Sequence, residues 1–196
     1  MSIRPTVWIP HIPRTGGTSR RMMMEHLSEY SEHQETFNSG IPDTDHIVTG
    51  HCSVLESPKW IKVLFVRNPL QRFWSSYYWT LERNPDLKLN NYLNNSTMED
   101  LLFDYQPFTS TEHWMRVQQE RAGLPEIDCY NWDYIFEVTE LTKFKVVMNN
   151  MGYAVKEECH INQNNIGHTD RPTLSRPHGP ELRKEYKYYN KLGLNY

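Results

Sequence analysis

The sequence has few cysteines, no long apolar run and no large excess of charge of either sign. Its three cysteines, Cys52, Cys129 and Cys159, lack the spacing of a metal site, and an odd number argues against a disulfide framework. No apolar stretch is long enough to predict a signal peptide or a membrane anchor. With a formal charge of −3, the chain also lacks the basicity of a nucleic-acid binder. We therefore expect a cytoplasmic protein without membrane insertion.

The 196 residues suit one domain, residues 1–196, with a single core. The run from Trp60 to Val66 is apolar and β-branched almost throughout, which is typical of a parallel strand covered on both faces. We expect an α/β fold with three layers (α/β/α) and a central parallel sheet. The predicted strands are 6–9, 46–49, 61–66 and 134–138, and the predicted helices are 18–29, 69–79, 97–105, 111–122, 141–151 and 180–191. Polar loops are predicted at 31–45 and 83–95.

Residues 8–19 predict an anion-binding loop between the first strand and the first helix. Gly16 and Gly17 have no Cβ, so the backbone there can approach a ligand closely. Thr18 or Ser19 can cap the helix, whose first amides and positive dipole end would then face the loop and bind a phosphate or sulfate group. Along this helix we expect Arg20 to face outward. An ordinary turn between strand and helix is the alternative reading of the loop.

Two further positions lie at predicted strand ends. His51 follows the second strand and is our candidate general base, because an ordinary histidine titrates near neutral pH. The alternative is a histidine that only hydrogen-bonds a neighbouring loop. Arg67 follows the strand 61–66, and Ser75 lies about two turns into the helix that Pro69 begins. A guanidinium fork and a hydroxyl can hold one phosphate between them.

Both motifs resemble those of the sulfotransferases that use 3′-phosphoadenosine 5′-phosphosulfate (PAPS). The loop Arg14-Thr15-Gly16-Gly17-Thr18-Ser19 is similar to the family's 5′-phosphosulfate loop, which has Lys where this chain has Arg14. Arg67 and Ser75 match the Arg and Ser of the family's 3′-phosphate motif. The Gly-His stretch around His51 is similar to the one that carries the base in uronyl 2-O-sulfotransferases.

The resemblance implies a P-loop-NTPase-like sulfotransferase fold and transfer of a sulfuryl group from PAPS to an acceptor hydroxyl of a saccharide, without a metal. The product of the donor would be adenosine 3′,5′-bisphosphate (PAP). Loop amides would hold the 5′-phosphosulfate, Arg67 and Ser75 the 3′-phosphate, and Arg14 would neutralise the leaving oxygen. The expected donor-binding residues are Arg14, Thr15, Gly16, Gly17, Thr18, Ser19, Arg67 and Ser75, and the expected catalytic residues are His51 and Arg14.

By position, the polar loop 159–172 matches the family's segment that closes over the 3′-phosphate and adenine, and Arg171 is the candidate cation within it. Two other functions stay open at this point. A P-loop-like nucleotide or sugar kinase would need a Walker-type Lys and a Mg²⁺-binding Asp, and at the corresponding strand end this chain has Arg67. A module that binds PAP or PAPS without catalysis is the other possibility, because Arg14 replaces the family's Lys.

Overall fold

The structure, a computed structural model, describes residues 3–33, 44, 46–50, 57–94, 108–157 and 179–196. The predictions for His51, for the helix 97–105 and for the loop 159–172 with Arg171 lie outside these residues. The chain divides into two compact units, which are described separately. The first unit comprises Met1–Arg67 and Trp114–Ile161, and the second comprises Asn68–His113 and Asn162–Tyr196.

Five parallel strands form one sheet in the first unit, in the order β2-β3-β1-β4-β5. In register, Val7 pairs with both Ile47 and Ile61, which places β1 at the centre. The four predicted strands are confirmed to within one residue at either end. The strands are β1 (Val7–Pro10), β2 (Tyr30–His33), β3 (Ile47–Gly50), β4 (Ile61–Val66) and β5 (Tyr134–Glu137).

Six helices accompany the sheet within the described residues. Asn68 caps the second of them with its side-chain oxygen, which accepts from the amides of Leu70 and Gln71 at 3.1 and 3.2 Å, and Pro69 begins that helix as predicted. The helices are α1 (Gly17–Met24), α2 (Pro69–Arg83), α3 (Leu89–Asn94), α4 (Thr111–Arg121), α5 (Leu141–Asn150) and α6 (Pro180–Lys191). None of the described helices is both long and apolar enough to cross a membrane.

The interior strand β4 is buried on both faces, as its apolar run predicts. Val63 and Phe65 belong to a core cluster that includes Phe144 of α5, while Leu64 and Val66, which alternate with them, are also fully buried. The expected α/β fold, with a central parallel sheet and flanking helices, is therefore confirmed. The cluster consists of Val7, Ile9, Met23, Met24, Ile47, Val63, Phe65, Phe136, Leu141, Phe144, Met148, Tyr153 and Val155.

Two predicted loops are wrong in part. The predicted loop 31–45 begins within the edge strand β2, whose sequence Tyr-Ser-Glu-His carries no apolar alternation because it pairs with one neighbour only. The predicted loop 83–95 contains α3, whose sequence is half asparagine, a residue of modest helix propensity. Leu89 and Leu93 pack against the hydrophobic cluster of the second unit, so tertiary packing stabilises this short helix.

The strand order places a topological switch point between β1 and β4 in the first unit, where a ligand-binding crevice is expected. The chain leaves β1 through α1 toward β2 on one side, whereas the connection that leaves β4 leads to β5 on the other side. Parallel α/β sheets bind ligands at such a switch point, outside the carboxyl ends of the strands. The loops after β1 and β4, which carry the two sequence motifs, flank this crevice.

The second unit contains a buried ionic network between α2 and α6. Arg72 and Glu185 are fully buried, with 2.8 Å between Nη1 and Oε1. Arg72 also donates to the carbonyl of Thr109 at 2.9 Å, and the amide of Thr111 donates to Glu185 at 2.5 Å. Removing one partner of such a pair costs about 3–5 kcal/mol, because the other charge stays buried and uncompensated. Arg72 is therefore a structural residue.

Glu181 of α6 is a second buried carboxylate in this network. Its Oε2 accepts from the amide of Ser110 at 2.9 Å and lies 3.0 Å from Nδ1 of His113, and Lys184 pairs with Oε1. Burial alone would raise the pKa of Glu181, but the hydrogen bonds from His113, Lys184 and Ser110 outweigh burial and lower the pKa from 4.5 to about 2. The ionised form is thus the one that the folded unit stabilises.

We predict that Glu181→Gln removes part of the acid sensitivity of folding. A carboxylate whose pKa is lowered in the folded state contributes stability above its unfolded pKa, and this contribution is lost as the pH falls from about 4.5 to about 2. The free energy of unfolding, measured with urea from pH 7 to pH 2, should therefore fall less for Glu181→Gln than for the wild type. The exposed Glu120→Gln is the control and should follow the wild type. Parallel pH curves for Glu181→Gln and wild type would contradict the assignment.

Candidate anion-binding site

The end of β3 and the residues that follow β1 and β4 meet at the carboxyl edge of the sheet. The amide of His11 donates to the carbonyl of Gly50 at 2.5 Å, which joins the loop after β1 to the end of β3. Nη1 of Arg67, directly after β4, lies 3.5 Å from the carbonyl oxygen of Arg14. The two cationic motifs that the sequence predicts are therefore in contact at the crevice.

The backbone around Gly16 forms an anion-binding concavity. Gly16 has left-handed dihedral angles (φ 76°, ψ 27°), and Gly17 begins the right-handed α1. A left-handed residue followed by a right-handed one turns successive amides toward one point, an arrangement known as a nest. Within the described residues, the amides of Gly16, Gly17 and Thr18 donate no hydrogen bond. Three donors and the positive end of the α1 dipole thus converge on one place.

The expected capping of α1 by Thr18 or Ser19 is wrong. The helix spans Gly17–Met24, so it begins one residue before the predicted helix 18–29 and ends five residues before it, and Thr18 and Ser19 lie inside its first turn. Gly16 occupies the N-cap position, and no side chain caps the helix. Because no side-chain oxygen satisfies the first amides, they are left for a ligand or water.

Thr15 fixes the shape of the loop rather than adding a donor to the nest. Its hydroxyl donates to the carbonyl of Ile12 at 2.8 Å, and its amide points to the same oxygen at 3.4 Å. Both groups are buried with the residue. Arg14 just before it has a φ of 67°, a left-handed angle that costs a residue with a side chain about 1–2 kcal/mol. Such strain is retained where surrounding contacts hold the backbone, often at functional sites.

The expectation that Arg20 faces outward is wrong, because Arg20 is buried on α1 together with Met23 and Met24, which belong to the core cluster. Arg20 is only 3% exposed. Its guanidinium donates to the carbonyl of Thr15 and lies 4.2 Å from the ring centroid of Phe65. Burial lowers the pKa of Arg20 to about 10, which leaves it charged at neutral pH, and no carboxylate in the described part of the chain contributes to that pKa.

The loop after β1 therefore lies between two guanidinium groups. Arg67 contacts the carbonyl of Arg14, and Arg20 binds the carbonyl of Thr15. With Arg14 itself, three cationic residues lie on or against a loop of a few residues. An arrangement of this kind favours a small, multiply charged oxyanion such as phosphate or sulfate.

Two further predicted site residues, Ser75 and His51, are not tested by the described part of the first unit. Ser75 is partly buried on α2 and belongs to the second unit, so its role with Arg67 stays a prediction. His51 lies outside the described residues, although Gly50, which precedes it, is bonded to His11 at the crevice. Neither the ionic role of Arg72 nor the burial of Arg20 followed from the sequence patterns. A 3.6-residue period phased on Met23, Met24 and Leu27 would have placed Arg20 inward.

Among the described residues, no group of three or more His, Cys, Asp or Glu side chains could hold a metal ion. No family model matches the chain, and no curated protein matches it in sequence. Among solved structures, the chain is similar to a sulfotransferase from Alicyclobacillus acidocaldarius, with a TM-score of 0.46 and 14% sequence identity over 96% of this chain and 94% of that chain.

The ring of His11 covers Gly17, and this contact gives a prediction for the site. A Cβ added to Gly17 would lie 2.8 Å from Cε1 of His11, so Gly17→Ala must displace the ring. We expect Gly17→Ala to cost about 1 kcal/mol in the wild type through overpacking, and to cost less when His11→Ala has removed the ring. A double-mutant cycle, measured by urea unfolding, gives this coupling energy.

Gly123→Ala is the matched control for the cycle, since nothing lies within 4 Å of a Cβ added there. The loss of unfolding free energy caused by Gly123→Ala should be the same with and without His11→Ala. If the effects of His11→Ala and Gly17→Ala simply add, the His11 ring does not cover the start of α1.

Proposed function

We propose that the chain is a sulfotransferase that binds PAPS in the crevice between the loops after β1 and β4. The observation that carries this proposal is the contact between Arg67 and the backbone of the nest loop, at 3.5 Å from Nη1 to the Arg14 oxygen. One anionic group of the donor would occupy the nest of Gly16, Gly17 and Thr18. A second would bind Arg67 with Ser75, as the resemblance implies, which suits a nucleotide charged at both its 3′ and 5′ positions.

In the proposed reaction, the oxygen of an acceptor hydroxyl forms a bond to sulfur while the bond from sulfur to the bridging oxygen of the donor breaks. His51 would accept the proton of the hydroxyl, and the leaving group would depart as PAP. The similarity of the stretch around His51 to the one that carries the base in uronyl 2-O-sulfotransferases supports this role. Arg14 would stabilise the charge that develops on the leaving oxygen.

Arg14 differs from a lysine in this position in two ways. Its guanidinium stays protonated, so it can donate a hydrogen bond to the leaving oxygen but cannot deliver a proton to it. Its backbone is also held at a left-handed angle, which fixes the direction in which the side chain leaves the loop. The acceptor that we propose is a saccharide hydroxyl, and the similarity of the stretch around His51 to uronyl 2-O-sulfotransferases supports it.

We predict that the wild type transfers ³⁵S from labelled PAPS to a saccharide within a panel of saccharides, phenols and lipids. Arg67→Ala should weaken PAP binding by about 1.5–3 kcal/mol, the value of a charge-assisted hydrogen bond, as measured by calorimetry. His51→Ala should bind PAP normally and lose turnover, because only the proton acceptor is removed.

Arg83→Ala and His26→Ala are matched controls, since both side chains are exposed and neither lies in a predicted motif. Full activity of His51→Ala would exclude it as the base. PAP binding without transfer to any acceptor would favour a non-catalytic binding module. Phosphate transfer from ATP that depends on Mg²⁺ would favour a kinase and overturn the proposed function.

A further inference from the structure

Two consecutive carbonyl groups of the nest loop bind guanidinium groups. The Arg14 oxygen lies 3.5 Å from Nη1 of Arg67, and the Thr15 oxygen accepts from Nη1 of Arg20. Nη1 of Arg20 also lies 3.5 Å from the Thr15 hydroxyl oxygen. Arg67 is partly exposed at the crevice, whereas Arg20 reaches the loop from the core, over the ring of Phe65.

The bond from Arg20 sets the direction of an amide in the nest. The described residues contain no cis peptide bond, and in a trans peptide the C=O and the following N–H point in opposite directions. Because the Thr15 carbonyl is turned inward to Arg20, the N–H of Gly16 is turned the other way. This N–H is the first of the three nest donors.

Among the described residues, no carboxylate offsets the buried charge of Arg20. Its pKa is lowered by burial and raised only by Tyr30, with no contribution from a carboxylate among the described residues. A buried cation without a counterion is costly, and an anion bound nearby reduces that cost. An oxyanion bound in the nest would lie on the other side of the Thr15 peptide group, where its negative charge would offset that of Arg20.

We propose that Arg20 is a positioning residue of the anion site. It orients the Gly16 amide through the Thr15 carbonyl and supplies positive potential to the group bound in the nest, without touching that group. The identity of the group as the 5′ end of PAPS rests on the proposed function. The role of Arg20 toward an oxyanion rests on the loop geometry.

The test separates the 5′ group from the rest of the nucleotide. The affinities of adenosine 3′,5′-bisphosphate and adenosine 3′-monophosphate are measured by calorimetry, and their ratio gives the contribution of the 5′ phosphate. Arg20→Met, which keeps the apolar stem, should reduce this ratio about tenfold, as expected for the loss of a unit charge at low effective dielectric. For Arg20→Lys, which keeps the charge, the ratio of the two affinities should stay close to the wild-type value.

Arg21→Met is the matched control, since Arg21 is the next residue, is exposed on α1 and carries the same charge. For Arg21→Met, the ratio of the affinities for the 3′,5′-bisphosphate and the 3′-monophosphate should equal that of the wild type. Thermal stability is measured as well, because a protein that had partly lost its fold would also bind anions more weakly. Weaker anion binding in an Arg20→Met protein of undiminished stability would therefore support a positioning role. An unchanged ratio in Arg20→Met overturns the proposal.

If the wild type binds neither nucleotide, the proposed function fails, and inorganic sulfate decides the role of Arg20. Arg20→Met must then weaken sulfate binding relative to Arg21→Met, and equal affinities overturn the proposal. If Arg20→Met does not fold, the wild type is labelled with ¹⁵N-arginine and observed by NMR. The side-chain N–H signal of Arg20 should shift with the 3′,5′-bisphosphate and not with the 3′-monophosphate, and an unshifted signal overturns the proposal.

Discussion

The geometry of the site depends on how the carbonyls of Arg14 and Thr15 are held. A left-handed angle at Arg14 costs about 1–2 kcal/mol, and a hydrogen bond to a charged donor contributes about 1.5–3 kcal/mol. The contacts from Arg67 and Arg20 can therefore offset the strain and keep the loop in one conformation. Because the Thr15 carbonyl is turned toward Arg20, the amide of Gly16 points the other way, toward the nest. The proposed anion site is thus organised by cations that bind the backbone rather than by side chains aimed at a ligand.

The motif that follows β4 combines residues with different physical roles. Arg67 contacts the nest loop of the first unit, and Asn68 caps α2. Five residues after Arg67, Arg72 is buried against Glu185 and contributes to the second unit's core. Two arginines in one short motif therefore differ in role because one lies at a strand end and the other on the inner face of a helix.

The sheet could be predicted from sequence because its central strands are apolar and β-branched, as in the run from Ile61 to Val66. The nest loop was found through its glycines, whose conformational requirements are local. The edge strand β2 could not be predicted from sequence, because its residues are polar and its strand conformation depends on pairing with β3. The ion pair of Arg72 with Glu185 joins residues 113 positions apart, so no local pattern reports it. Arg20 was misplaced because charge suggested exposure, whereas the helix start at Gly17 turns this side chain inward.

The central claim is that the amides of Gly16, Gly17 and Thr18 bind an oxyanion. Amide NMR spectra of the ¹⁵N-labelled wild type, recorded during titration with adenosine 3′,5′-bisphosphate, test this claim most directly. We expect the largest changes at these three amides, with their protons moving downfield because each gains a charged acceptor. Unchanged signals from all three, with the largest changes elsewhere on the chain, would contradict the account.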